Sequence, residues 1–208
     1  MQAISQVASS WARHVARGLF VVWIAGFVVV GAYLLAPHLL TLPVPDTADP
    51  GFQRSMVQRL PAQHGRWLVL HVLDEDCLCS QRVLDHLLAS PRPAETAERI
   101  VLISRHEDAA RVAAIRAHGF DLDVVTPDQL VARYRVEAAP LLVIVSPADG
   151  VRYVGGYTPR KQAADIRDVQ ILAAVRAGER VVPLPTFGCA VGARLSQTVD
   201  PLGLRRWN

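Results

Sequence analysis

The uncharged apolar run Gly18 to Ala36 (GLFVVWIAGFVVVGAYLLA) restricts this chain more than any other stretch, because it divides the sequence into parts that face different solvents. It is about as long as a helix needs to be to cross a bilayer. A cleavable signal peptide also has a basic start and an apolar middle, but its apolar core is usually shorter, and no clean small-x-small site follows Ala36. The expectation is an uncleaved transmembrane helix at 18–36 after a short cytoplasmic segment at 1–17. Arg13 and Arg17 precede the span, and no acidic residue occurs before it ends. The positive-inside rule therefore places the N-terminus in the cytoplasm and the remainder outside a bacterial-type inner membrane.

Charge adds little to this. The sequence pI near 9.0 reflects the membrane-proximal arginines; without those two, 20 basic residues face 19 acidic ones after Ala36. A nearly neutral domain of this kind does not point to nucleic acid. The basic pair Arg160-Lys161 reads as a solvated helix start.

Residues 37–65, with Pro43, Pro45, Pro50 and Pro61, read as a linker with a short helix near Gln53 to Arg59. Beyond it, Trp67 to Leu73 is a buried strand by length and aliphatic content. Cys79, Val83, Leu84, Leu87 and Leu88 then recur at helical spacing up to Ser90-Pro91. The motif Asp76-Cys77-Leu78-Cys79-Ser80 thus occupies a strand-to-helix junction, where backbone N–H groups and the helix dipole favour a thiolate. Further elements are a strand at Ile100 to Ile103, a helix from Glu107 to His118 and a short strand at Leu122 to Val125. Thr126-Pro127-Asp128-Gln129 starts a further helix with a capping signature. A hairpin follows, with strands at Leu141 to Val145 and Val151 to Val154, and a helix from Lys161 to Ala177. The fold class is α/β, a mixed sheet flanked by helices.

These features resemble the thioredoxin-like superfamily, in particular its membrane-anchored extracytoplasmic TlpA and RedB-like members. The carriers are the cysteines after the first strand, Ala139-Pro140-Leu141 before the later one, and the Gly155-Gly156-Tyr157 exit from the hairpin. The resemblance implies a thioredoxin-like domain at 66–178 and a C-terminal tail at 179–208. It implies that Pro140 is cis, lies opposite the redox cysteines and brings a substrate backbone alongside them. It also implies that the tail, which carries Gly188-Cys189, folds back over Cys77 and Cys79. The departure from the family is Cys-x-Cys in place of Cys-x-x-Cys, which shortens the ring a disulfide would close.

Three cysteines form an odd set, so at least one is free, metal-bound or paired with another molecule. The leading expectation is a thiol-disulfide oxidoreductase acting on membrane or exported protein thiols. Cys77 would attack, Cys79 would resolve, and Cys189 would be an alternative resolving thiol; Arg82 would favour the thiolate. This reading needs no cofactor. An alternative is copper delivery, with Cu(I) held by Cys77, Cys79 and Cys189; His71 and His86 read as core or surface residues, not ligands. A third reading is a non-catalytic accessory subunit of a membrane complex, with Cys189 bonded permanently to the junction. Asp74, Glu75 and Asp76 would oppose a thiolate unless they form a solvated turn. Asp165 and Asp168 lie beside Ile166, Val169, Leu172 and Val175, so at least one could approach the core, where Asp168 could hold the tail or tune a thiol; the expectation is solvent exposure. The segment Leu195 to Asn208 has no decisive periodicity.

Overall fold

In a computed structural model, the described residues are 2–39, 41–59, 65–106, 108–161, 164–200 and 203. The chain divides into two units, Met1–Leu40 and Thr41–Asn208. The first is helix α1 (Gln2–Leu39). Within it, Arg13–Tyr33 spans 21 residues at a mean hydropathy of 2.1, long and apolar enough to cross a membrane. Phe20, Trp23 and Phe27 stack in sequence along it, as helical spacing requires.

The second unit runs α2 (Pro50–Val57), β1 (Trp67–Asp74), α3 (Leu78–Ala89), β2 (Thr96–Ile103), α4 (Ala109–Ala117), β3 (Asp121–Val125) and α5 (Pro127–Tyr134). It continues through β4 (Ala138–Ala139), β5 (Leu141–Ser146), β6 (Gly150–Gly155), α6 (Asp168–Arg176), β7 (Cys189–Ala190) and α7 (Ala193–Val199). The main sheet has the order β3-β2-β1-β5-β6. β1, β2 and β3 are parallel, and β5 and β6 are antiparallel additions.

Alternation along the central strands gives the sheet two apolar faces. Leu68, Leu70 and Val72 of β1 join Leu141, Val143 and Val145 of β5 against Phe52 and Met56 of α2 and Leu130 and Tyr134 of α5. The opposite face, including Val69, Leu142 and Ile144, packs on Val83, Leu84 and Leu87 of α3, Ile115 of α4 and Leu172 of α6. Each fully buried large aliphatic contributes about 1.5–3 kcal/mol relative to exposure.

Several elements differ from expectation. The stretch read as linker supplies core: Asp49 caps α2 through Gly51 N and Phe52 N, and this turns Phe52 and Met56 into the sheet face. Proline content signalled a break in regular structure there but said nothing about burial. Pro61 lies outside the described residues. The helix expected from Lys161 begins at Asp168, after an irregular stretch in which Arg167 N donates to Tyr157 O. The helix expected from Glu107 begins at Ala109, capped by Asp108; Glu107 itself is outside the described residues. The capping box at Thr126 and Gln129 is formed as the sequence indicated.

Register positions the cysteines. β5 runs antiparallel to β1, with Val72 opposite Leu141, so the start of β5 lies beside the end of β1. Whatever precedes Leu141 must face whatever follows Asp74.

Candidate functional site

Cys77 is the N-cap residue of α3, after a turn in which Cys77 N donates to Asp74 O at 3.1 Å. It is 1% exposed, whereas Leu78 beside it is 69% exposed. Opposite, the Ala139-Pro140 peptide bond is cis, and Cys77 Sγ lies 3.9 Å from Ala139 O. Three parallel strands, an antiparallel hairpin, helices on both faces and a cis proline facing a cysteine at a helix N-terminus decide the architecture. The fold is thioredoxin-like.

The third cysteine joins this thioredoxin-like site through the tail. Leu184 O accepts from Gly156 N at 2.8 Å, and Leu184 N donates to Tyr153 Oη at 3.1 Å. Further along, Thr186 forms a bridge with Leu42, whose N–H donates to Thr186 O at 2.9 Å. β7 then pairs antiparallel with β4, Cys189 opposite Ala139 and Ala190 opposite Ala138. Cys189 Sγ reaches Cys77 Sγ at 2.6 Å. On the Cys79 side, a cleft of about 40 Å³ lies between Cys79, Pro140, Tyr157, Ile166 and Phe187.

The thiols are electrostatically unequal. Cys77 is held well below the ordinary thiol range, first by the thiol hydrogen bond from Cys189 and then by that from Cys79. Backbone N–H groups of Ser80 and Cys79 add to this against the opposing effect of burial. Cys79 and Cys189 are both pushed up, each chiefly because its proton is shared with Cys77 and then because of burial. Cys77 is thus the most acidic of the three, with the Cys189 thiol as its hydrogen-bond donor. Arg82, expected to favour the thiolate, acts on Cys79, where it opposes the larger upward effects.

Of the acidic run before Cys77, expected as a solvated turn, only Asp76 is exposed. Asp74 is 3% exposed and Glu75 7%. Glu75 Oε1 accepts from Arg105 N at 2.6 Å, His106 N at 3.0 Å and Ser104 Oγ at 2.8 Å. Arg105 spans Asp74 and Asp76 at 3.1 Å each. Burial still pushes the Asp74 carboxyl up, with Arg105 opposing. The run's charge is therefore met by Arg105 and backbone donors, and a thiolate beside it is tolerated.

Asp168, expected at the surface, is 1% exposed. Its Oδ2 lies 2.8 Å from Arg92 Nη1, and its Oδ1 lies 3.1 Å from His86 Nε2. Arg92 also meets Glu98, through Nη2 at 2.7 Å and Nε at 2.8 Å. His71, fully buried, lies 3.0 Å from Tyr157 Oη and 3.3 Å from Glu98 Oε2. Burial raises the Asp168 and Glu98 carboxyls, but Arg92 and His71 outweigh it and both end below their ordinary values. Both histidines thus have carboxylate partners in this network. Among the described residues, no group of three or more His, Cys, Asp or Glu side chains is arranged to hold a metal ion.

Sequence reading identified Cys77, Cys79, Pro140 and Cys189, and the structure brings all of them together. It missed the backbone edge of Ala138 and Ala139 and the ionic network behind the site. Alanines in a short strand carry no local signal, and an ion pair between α6 and the turn before β2 has none either.

No protein-family model matches the chain, and no curated protein matches it in sequence. Similar solved structures include an uncharacterized conserved protein from Geobacillus kaustophilus, at 16% identity and a TM-score of 0.47, covering 62% of this chain and 77% of that one. A hypothetical protein, SMc02350, from Sinorhizobium meliloti 1021 has 17% identity and a TM-score of 0.43, over 74% and 91% of the two chains. The thioredoxin-like superfamily protein SPOA0173 has 16% identity and a TM-score of 0.35, over 59% and 84%.

Proposed function

We propose that this protein is a membrane-anchored, extracytoplasmic thiol-disulfide oxidoreductase of TlpA and RedB-like type, acting on thiols of membrane or exported proteins. The observation that carries the reading is the 2.6 Å approach of Cys189 Sγ to Cys77 Sγ at a helix N-terminus facing cis Pro140. Arg13 and Arg17, on the N-terminal side of the uncharged run that starts at Gly18, support a cytoplasmic N-terminus and an external domain.

In the reducing direction, the tail lifts and a client disulfide takes its place beside Ala139 and cis Pro140. The Cys77 thiolate attacks one client sulfur, forming a mixed disulfide, and the other client sulfur leaves as a thiolate that takes up a proton. The tail then returns. Cys189, having lost its proton, attacks Cys77 Sγ, so that the Cys77–Cys189 bond forms and the second client thiol departs. Two electrons and the Cys189 proton pass from the protein to the client, whose second proton comes from water, and the opposite sequence oxidises a client dithiol. Cys79, hydrogen-bonded to Cys77, holds the thiolate and is a second resolving thiol.

The test uses the full-length protein in detergent. Cys77→Ser is expected to abolish disulfide exchange, and Cys189→Ser to accumulate mixed disulfides on Cys77 with slower turnover. Unchanged exchange in Cys77→Ser overturns the reading. A Cys77–Cys189 bond that persists at every potential a client thiol can reach would replace it with a latched accessory subunit.

A further inference from the structure

The tail's approach to Pro140 constrains its own sequence. A Cβ built on Gly188 falls 2.0 Å from Ala139 O and 2.5 Å from Pro140 Cδ. Both belong to rigid parts of the site, a backbone carbonyl and a ring whose peptide bond is cis. No side chain fits there unless the strand moves away from Ala139, and that movement would carry the next residue's sulfur away from Cys77. The domain makes a matching concession at Gly156, where a Cβ would fall 2.0 Å from Pro185 O. Two glycines, one on each partner, thus allow backbone-to-backbone contact along the tail, and Gly188 immediately precedes the reacting cysteine.

We propose that the groove along Ala138, Ala139 and Pro140 selects extended protein segments in which glycine directly precedes the reactive cysteine, and that the chain's own Phe187-Gly188-Cys189-Ala190 rests there as the stand-in for such a client. The inference rests on the oxidoreductase reading. Pairing of β7 with β4 fixes the segment's direction. The Cys189 position fixes which sulfur meets Cys77, and the position before it has room for hydrogen alone. Selectivity comes from exclusion: a larger residue there costs strand pairing or sulfur approach, a difference that a rate ratio reports.

The chemistry is a single exchange. Cys77 thiolate attacks a peptide disulfide, the Cys77–peptide S–S bond forms, the original S–S bond breaks, and the second peptide leaves as a thiolate that is protonated by water.

The experiment uses the full chain carrying Cys79→Ser and Cys189→Ser, which keeps hydroxyl donors beside Cys77 but leaves no resolving thiol. It is challenged with the disulfide dimer of Pro-Thr-Phe-Gly-Cys-Ala-Val, with the same dimer bearing Ala for Gly, and with the small disulfide of mercaptoethanol. Mixed disulfides on Cys77 are followed by mass spectrometry. Both peptides must displace the same tail, so that competition cancels in their ratio. The glycine peptide is expected to react at least about tenfold faster than the alanine peptide, equivalent to about 1.4 kcal/mol. Equal rates, or reaction with the small disulfide alone, overturn the selectivity while leaving the oxidoreductase reading in place. No reaction of Cys77 with any of the three overturns that reading and the selectivity with it. As a second measurement, Gly188→Ala in the otherwise native chain is expected to lower the yield of the Cys77–Cys189 disulfide in a thiol redox buffer by about tenfold; an unchanged yield also overturns the selectivity.

Discussion

Cys189 pairs across an antiparallel bridge with Ala139, the residue whose bond to Pro140 is cis, and its sulfur meets that of Cys77. Under the proposed function, tail and client would compete for this backbone edge.

Removing the donor on Cys77 should change its acidity. The Cys189 thiol is the largest influence lowering the Cys77 pKa, so Cys189→Ala removes stabilisation of the thiolate and its titration moves to higher pH. Ultraviolet thiolate absorbance followed against pH in the two proteins measures the shift; a midpoint that stays or falls contradicts the assignment of Cys77 as the most acidic of the three.

Gly156→Ala should detach the tail without unfolding the sheet. Its new methyl would collide with Pro185 O, and the tail is the side free to move. The expected result is faster proteolysis near Pro185 and loss of the Cys77–Cys189 disulfide, while thermal unfolding of the remaining domain stays cooperative. Native disulfide yield in this variant contradicts the docking geometry.

The buried ionic network gives a pH dependence with a defined sign. Asp168 and Glu98 lie below their ordinary values of 3.8 and 4.5. The folded state therefore binds fewer protons there than the unfolded chain. Their stabilisation is present above those ordinary values and is lost as pH falls through the lower folded values. Arg92→Met leaves the two buried carboxylates only their histidine partners, His86 and His71, and should cost about 3–5 kcal/mol at neutral pH. Because the carboxylates then favour protonation, the variant should also lose less stability than the native protein on acidification. Urea unfolding at several pH values reads both effects.

Phe52 tests the proline-rich stretch that follows the apolar helix. It is fully buried against the sheet, so Phe52→Ala should cost about 3–5 kcal/mol in denaturant unfolding. Val57→Ala, at a 42% exposed position of the same helix, should stay within about 0.5 kcal/mol. Equal effects would mean that α2 is not part of the core.

Much of the architecture was legible because its signals are local. Aliphatic runs such as Trp67 to Leu73 and Leu141 to Val145 are buried on both faces, which makes them readable as strands. The capping box at Thr126 is written within four adjacent residues. The start of α6 was misplaced because helical periodicity around Ile166 and Val169 continues backward into a stretch that instead bonds to Tyr157. The acidic turn looked solvated because its neutralising partners, Arg105 and the backbone around it, are supplied from the end of β2.

The sequence by itself determined the apolar helix, the order of strands and helices, and the residue types at the junction, since hydropathy, periodicity and thiol chemistry are properties of short stretches. Only tertiary structure decided that the proline-rich segment is core, that Asp168 is buried, and that Cys189 meets Cys77. Those outcomes depend on strand register and backbone contact between residues far apart in the chain. The glycines that permit such contact at Gly156 and Gly188 reveal their purpose only when both sides of it are in place.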